Sequence, residues 1–174
     1  MPHSSGVLSP AVGRVLAFDP GFERLGVAVI ERQAGAGASG KNSLIHSDCI
    51  RTSATLSFPE RLRALGTAAE QLIAAHAPDA VALEDVYFEK NAKTAMKVAQ
   101  VRGMLCYIAA ARGITVLSYT PLEVKVAVTG YGKSDKAGVA AMVPRLIVLP
   151  DRKRLDDEFD AIAIGLTCLA TTRP

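Results

Sequence analysis

The chain has 174 residues, 49% of them hydrophobic, and a formal net charge of +3. That length suits one domain and that apolar fraction supplies a core, which excludes a disordered or low-complexity protein. No apolar run approaches the roughly 18 residues of a membrane span, and MPHSSGVLSPAVG lacks the regions of a signal peptide, so a cytoplasmic protein without a membrane partner is expected.

Residues 1–13 read as a flexible N-terminal extension and 14–174 as a single domain. RVLAFD (14–19) is a short apolar run closed by Pro20-Gly21, a buried strand ending in a tight turn. RLGVAVIE (24–31) predicts a second strand, hairpinned to the first. The Gly, Ala and Ser of 33–42 make a loop, and 43–52 a third strand. Helical periodicity covers 59–75. DAVALE (79–84) is a fourth strand, apolar on both faces and therefore central. A long helix spans 91–112 and a fifth strand 114–119. Helices follow at 121–128 and 134–148, the second kinked at Pro144, and the last helix covers 156–170. Hairpins first and alternating units later predict an α/β fold, a five-stranded mixed sheet flanked by helices on both faces.

Charge is uneven along the chain. Residues 86–154 hold twelve Lys or Arg against four acids, a net +8, while the remainder holds eight against thirteen, a net −5. A basic band beside an acidic cluster suits a protein that grips a polyanion and does metal chemistry on it. Cys49, Cys106 and Cys168 are an odd, scattered set, which points to a reducing compartment. No Cys or His pair has zinc spacing. GKS at 132–134 ends like a phosphate loop, but Ala127 stands where that loop needs glycine.

The acids carry the chemistry. Asp19 and Glu84 each end an apolar strand, where a carboxylate is costly unless paired or metal-bound. Asp157 and Asp160 are three apart on the last helix and share a face. Four carboxylates are the hard-oxygen donors that two Mg²⁺ ions require. On a helical wheel Phe159, Ile162, Ala163, Leu166 and Ala170 make the core stripe. Glu158 lies on the opposite edge of that stripe from Asp160 and is expected to be solvated. Asp156 and Asp157 both lie near Asp160, and periodicity does not choose between them. The basic run DRKR (151–154) reads as a polyanion-facing loop or a solvated turn.

The helix from Asn91 is apolar on two sides. Val98, Val101, Leu105 and Ile108 make a bulky stripe; Ala92, Met96, Ala99, Gly103, Cys106 and Ala110 make a small-residue one. One face suits the sheet. The other suits either a further helix of this chain or a second copy across a two-fold axis.

LAFDPGFERLGVAVIE, VALEDVYFEKNAKTAMKVAQVRG, YTPLEVKVAVTGYGKSDKAGV and DEFDAIAIGL together resemble the RuvC family of Holliday-junction resolvases, collinearly over about residues 14–170. The resemblance implies an RNase H-like fold and a metal-dependent endonuclease that resolves four-way DNA junctions in recombination and repair. It implies Asp19, Glu84, Asp157 and Asp160 as catalytic residues holding two Mg²⁺ (or Mn²⁺) ions, and so picks Asp157 over Asp156, leaving Asp156 as an extra acid or helix N-cap. It implies Tyr87 or Phe88 as the ring that stacks at the opened junction. Lys125 and Lys136 match the family's basic positions near the scissile phosphate, with Lys133 nearby. It implies a homodimer through the Ala92, Met96, Ala99 and Gly103 face, and cooperation with the RuvA–RuvB branch-migration complex. A YqgF-type nuclease acting on RNA and a non-catalytic junction-binding module are the competing readings. An actin-like ATPase would need a second domain for which the chain is too short.

Overall fold

A computed structural model of the chain describes residues 11–33, 42–86 and 92–173, Ala92 by its backbone alone. Chain order is β1 (Arg14–Asp19), β2 (Arg24–Glu31), β3 (Asn42–Arg51), α1 (Phe58–His76), β4 (Ala80–Glu84), α2 (Ala92–Ala110), β5 (Thr115–Tyr119), α3 (Pro121–Thr129), α4 (Lys136–Leu146), β6 (Ile147–Val148) and α5 (Asp156–Thr171). The sheet runs β5-β4-β1-β2-β3-β6. β1, β2 and β3 pair antiparallel, β1, β4 and β5 parallel.

The expected mixed sheet is present with a sixth strand. Ile147 and Val148 were expected to continue a helix, but they pair parallel with Asn42 and Ser43 at the sheet edge. Pro144 has no N–H to give the last helical turn, and the helix stops two residues later. Residues 11–13 also depart from the expected loose extension. Val12 is fully buried and its N–H donates to the Arg173 carbonyl, while the Gly13 N–H donates to Asp79 Oδ2. Residues 1–10 and most of the expected 33–42 loop lie outside the described residues.

Strand alternation sorts the core into two layers. Leu16, Phe18, Val27, Val29, Val81 and Leu83 face α1 and α2. Val15, Ala17, Ala28, Ile30, Ala80 and Ala82 face α3, α4 and α5. The second set is small, so α5 lies close to the sheet. A Cβ on Gly165 would stand 2.9 Å from Ile30 Cδ1 and 3.3 Å from Ala17 Cβ. This close approach carries the first turn of α5 to the carboxyl end of β1.

Candidate active site

The parallel pairing of Phe18 with Leu83 makes Asp19 and Glu84 neighbours at the carboxyl ends of β1 and β4. α5 brings Asp157 and Asp160 over the same edge. The carboxylates act on each other: Asp19 is pushed up to about 7, by burial first and then by Asp160, Glu84 and Asp157. Glu84 is likewise pushed up to about 7, by burial and then by Asp160. Asp160 is raised as well, by burial first, against the lowering pull of Lys136. Near neutral pH, a cation held by this cluster would therefore compete with protons.

Gly26 makes the arrangement possible. It sits opposite Asp19 in the β1–β2 register. A Cβ there would lie 2.0 Å from the Asp157 carbonyl oxygen and 3.2 Å from Asp19 Cβ. Only a residue without a side chain lets the helix backbone rest on β2 at that point.

The same docking separates the adjacent acids. The Asp157 side chain is 14% exposed, lies 3.4 Å from Arg24 Nη1, and has Cys49 Sγ 3.8 Å away. Asp156 is exposed. Leu155 occupies the N-cap, so Asp156 is the first helical residue and not the cap.

Glu158 corrects the helical-wheel expectation. It is 4% exposed instead of solvated. Ser47 Oγ donates to Glu158 Oε2 at 2.9 Å, Arg152 Nη2 donates to the same oxygen at 2.5 Å, and the Leu155 N–H reaches Oε1 at 3.3 Å. Burial pushes the carboxyl up, but these donors together hold it below its ordinary value. The wheel assumed one buried stripe, whereas residues 161–169 are buried all round and Ala170, assigned to the stripe, is exposed. Arg152 also donates to the Ser47 carbonyl at 2.7 Å, and Arg154 Nε reaches Ser47 Oγ at 3.4 Å. DRKR is thus a clamp on β3 and the first turn of α5, with Lys153 left exposed.

Of the expected phosphate-neutralising lysines, Lys125 and Lys136 line a cleft with Glu84 and Asp160. Lys136 Nζ lies 2.5 Å from Asp160 Oδ2. Lys133 is exposed in the α3–α4 connection, outside the lining of that cleft. Tyr87 and Phe88 lie outside the described residues. On α2, Val101, Leu105 and Ile108 are buried, while Met96 is 59% exposed and Gly103 is exposed. A Cβ on Gly103 would meet nothing within 4 Å. Among the described residues, then, no helix of this chain covers Met96 or Gly103. Ala99 is half-buried, and the Ala92 side chain is outside the described residues.

The donor set is entirely carboxylate oxygen, the chemistry that Mg²⁺ and Mn²⁺ prefer. Asp19 and Glu84 are raised to about 7 by burial and neighbouring acids despite the lowering pull of Lys136, so the acids outweigh the nearby cations and their donor chemistry would suit such an ion. Among the described residues no three potential ligands converge closely enough to hold an ion as they stand. The Lys136 ammonium is the cation lying against Asp160 here. Sequence reasoning missed Gly26, Arg24, Cys49 and the Ser47–Arg152–Glu158 clamp. A glycine inside an apolar strand, three positions from its turn, was the available signal for the first.

The model of the family Crossover junction endodeoxyribonuclease RuvC matches residues 15–168. A relative of that name from Clavibacter michiganensis subsp. michiganensis is 41% identical over 153 residues, 88% of this chain and 74% of the relative. One from Rhodococcus opacus is 42% identical over 154 residues, 88% and 79% of the two chains. Thermus thermophilus RuvC superposes with a TM-score of 0.79 at 32% identity, covering 88% of this chain and 92% of the other. The same protein in complex with Holliday junction substrate gives 0.79 at 30% identity, covering 88% and 91%. A yeast mitochondrial Holliday junction resolvase shares the fold, with a TM-score of 0.70 at 14% identity over 94% and 80%.

Proposed function

The chain belongs to the family of crossover junction endodeoxyribonucleases, RuvC, and from that premise we propose that it resolves four-way DNA junctions by metal-dependent phosphodiester hydrolysis, a homodimer making paired symmetric nicks. Its fold is RNase H-like. Membership implies dependence on a divalent cation. The observation that carries the reading is the cluster of Asp19, Glu84, Asp157 and Asp160, half-buried together at the carboxyl ends of β1 and β4 without enough positive charge to balance them.

These four side chains would hold two Mg²⁺ (or Mn²⁺) ions. When bound, such ions make water nucleophilic at neutral pH and favour departure of the 3′ oxygen. The chain's own residues do the rest. Asp19 and Glu84 are set at fixed strand ends. The Arg152–Glu158–Ser47 clamp and the Gly26 contact fix the turn that carries Asp157 and Asp160. Lys125 and Lys136, on the cleft wall, neutralise the scissile phosphate, Lys136 exchanging Asp160 for phosphate oxygen. The products would carry 5′ phosphate and 3′ hydroxyl ends. Tyr87 or Phe88 would stack on an unpaired base, and Lys133 would touch the backbone farther out.

The uncovered α2 face with Met96 and Gly103 supports a two-fold dimer, which sets two sites against two strands of like polarity. The RuvA–RuvB complex is the proposed partner on DNA, and the cytoplasm the proposed location, with its three thiols free. No helix among the described residues is long and apolar enough to cross a membrane.

The test offers labelled duplex, RNA–DNA hybrid and four-way junction, with Mg²⁺ or Mn²⁺, to the protein and to Asp19→Asn. Symmetric nicks in the junction alone, absent from the variant, are expected. Preference for the hybrid would favour an RNA-directed enzyme. Junction binding without cutting would favour a non-catalytic module.

A further inference from the structure

We infer that the turn after Asp19 and the start of α1 form a base-stacking pocket for the strand being cut, an inference that rests on the junction-cutting function proposed above. Phe22 in that turn and Phe58 at the head of α1 meet edge to face, ring centroids 6.1 Å apart. Lys97 of α2 holds its Nζ 4.8 Å from the Phe22 centroid and 5.8 Å from that of Phe58. The Arg61 guanidinium lies 5.8 Å from the Phe22 ring. With Glu23 and Leu56 they line a surface pocket.

Placement ties the pocket to the chemistry. Phe22 follows Asp19 by three residues, a span of at most about 11 Å. At roughly 3.4 Å of rise per nucleotide, the pocket lies within about three nucleotides of a phosphate held at Asp19. The turn is tied to the residue after β3: Thr52 Oγ1 donates to the Phe22 carbonyl at 2.7 Å and the Thr52 N–H to the Glu23 carbonyl at 3.0 Å. Both rings are half-buried, Phe22 packs against the core, and both line the surface pocket.

The occupant is an unpaired nucleotide of the cleaved strand. Aromatic faces beside cations are the combination that binds single strands, rings taking bases and cations taking phosphates. Among the described residues no carboxylate pairs with Lys97, and the pocket's acid, Glu23, is an exposed side chain 3.8 Å from Arg61. Lys97 is exposed, so it can leave the ring faces for a phosphate while a base takes its place. A base still paired in duplex has its faces covered by its neighbours, so the pocket selects nucleotides splayed near the crossover. A purely structural role, the cations tying α1, α2 and the turn together, predicts indifference to which bases the DNA carries.

The experiment is a binding cycle in the Asp19→Asn protein, which leaves the junction uncut. Junctions carry an abasic site at each of three nucleotides on either side of the cut mapped with unmodified protein. At one position the abasic site is expected to weaken binding roughly tenfold, the loss of one base–aromatic stack. Phe22→Leu, which keeps apolar volume, is expected to weaken binding similarly and to make that abasic site silent. Lys97→Ala is expected to reduce the salt dependence by about one ion. If Phe22→Leu lowers the melting temperature, Phe58→Leu replaces it in the cycle. Additive losses at every position, or a leucine variant binding as the parent does, would overturn the inference alone. A protein with no preference for junction over duplex would overturn the function beneath it, before any variant is made.

Discussion

Two sets of desolvated carboxylates, Glu158 on one side and Asp19 with Glu84 on the other, behave in opposite ways. Glu158 is desolvated but met by Arg152, Ser47 and the Leu155 N–H, and its carboxyl is held below the ordinary range. Asp19 and Glu84 are desolvated among other acids, and both rise to about 7. Desolvation raises all three, and compensation differs. A compensated charge holds the fold in place, while an uncompensated one reserves room for a cation and its chemistry.

The largest expected effect sharpens that contrast. Asp19→Asn, Glu84→Gln, Asp157→Asn and Asp160→Asn should each abolish junction cutting in a gel assay yet leave the fold intact by circular dichroism. Because Asp19→Asn removes a repelled charge, the melting temperature in metal-free buffer should hold or rise. A clear fall would mean that Asp19 is a structural acid like Glu158.

Gly26→Ala should come next. Its Cβ would strike the Asp157 carbonyl oxygen at 2.0 Å, so the first turn of α5 must leave β2. Overpacking of this kind costs about 1–3 kcal/mol or more, and cutting should fall with it. A variant that melts normally and cuts normally would show that the contact does not set the site.

Breaking the clamp should act on stability before chemistry. Glu158→Gln leaves Arg152 without its counter-charge. With the Arg152 side chain 42% exposed, the cost should be about 1–3 kcal/mol, below that of a fully buried pair. Urea unfolding measures it, and residual cutting by the folded fraction should persist.

The two groups should also give opposite slopes with pH. Acids whose folded value lies above the unfolded one lose stability as pH rises, so Asp19 and Glu84 should destabilise the metal-free protein progressively from about pH 4 to about pH 7. Glu158 lies below its unfolded value, so its contribution is complete above that value and lost as pH falls through the folded one. Melting curves of the protein and of Glu158→Gln across that range separate the two. The smallest effect belongs to Asp156→Asn, exposed at the start of α5, which should change cutting by less than about twofold, as surface substitutions do.

Much of this was legible in the sequence because it depends on local pattern. Apolar runs ended by Asp19 and Glu84 located the strands and acids together, and the β1 and β2 bounds agree with the structure to the residue. What escaped depends on tertiary contacts. Glu158 looked solvated because its counter-charge comes from the loop before α5 and its hydroxyl donor from β3. The sixth strand escaped because two residues of sheet carry no periodicity. The wheel left Asp156 and Asp157 equal; the approach of α5 to Gly26, a tertiary contact, turns Asp157 inward.

Proton release on cation uptake separates a cation-holding cluster of acids from a structural one. Mn²⁺ is titrated calorimetrically into the protein, Asp19→Asn and Glu158→Gln at pH 6.5, in two buffers of different ionisation enthalpy. Protons should be released by the unmodified protein and by Glu158→Gln, and fewer released with weaker binding by Asp19→Asn, because ligands must shed their protons before they coordinate. Binding without proton release, or release undiminished in Asp19→Asn, would contradict it.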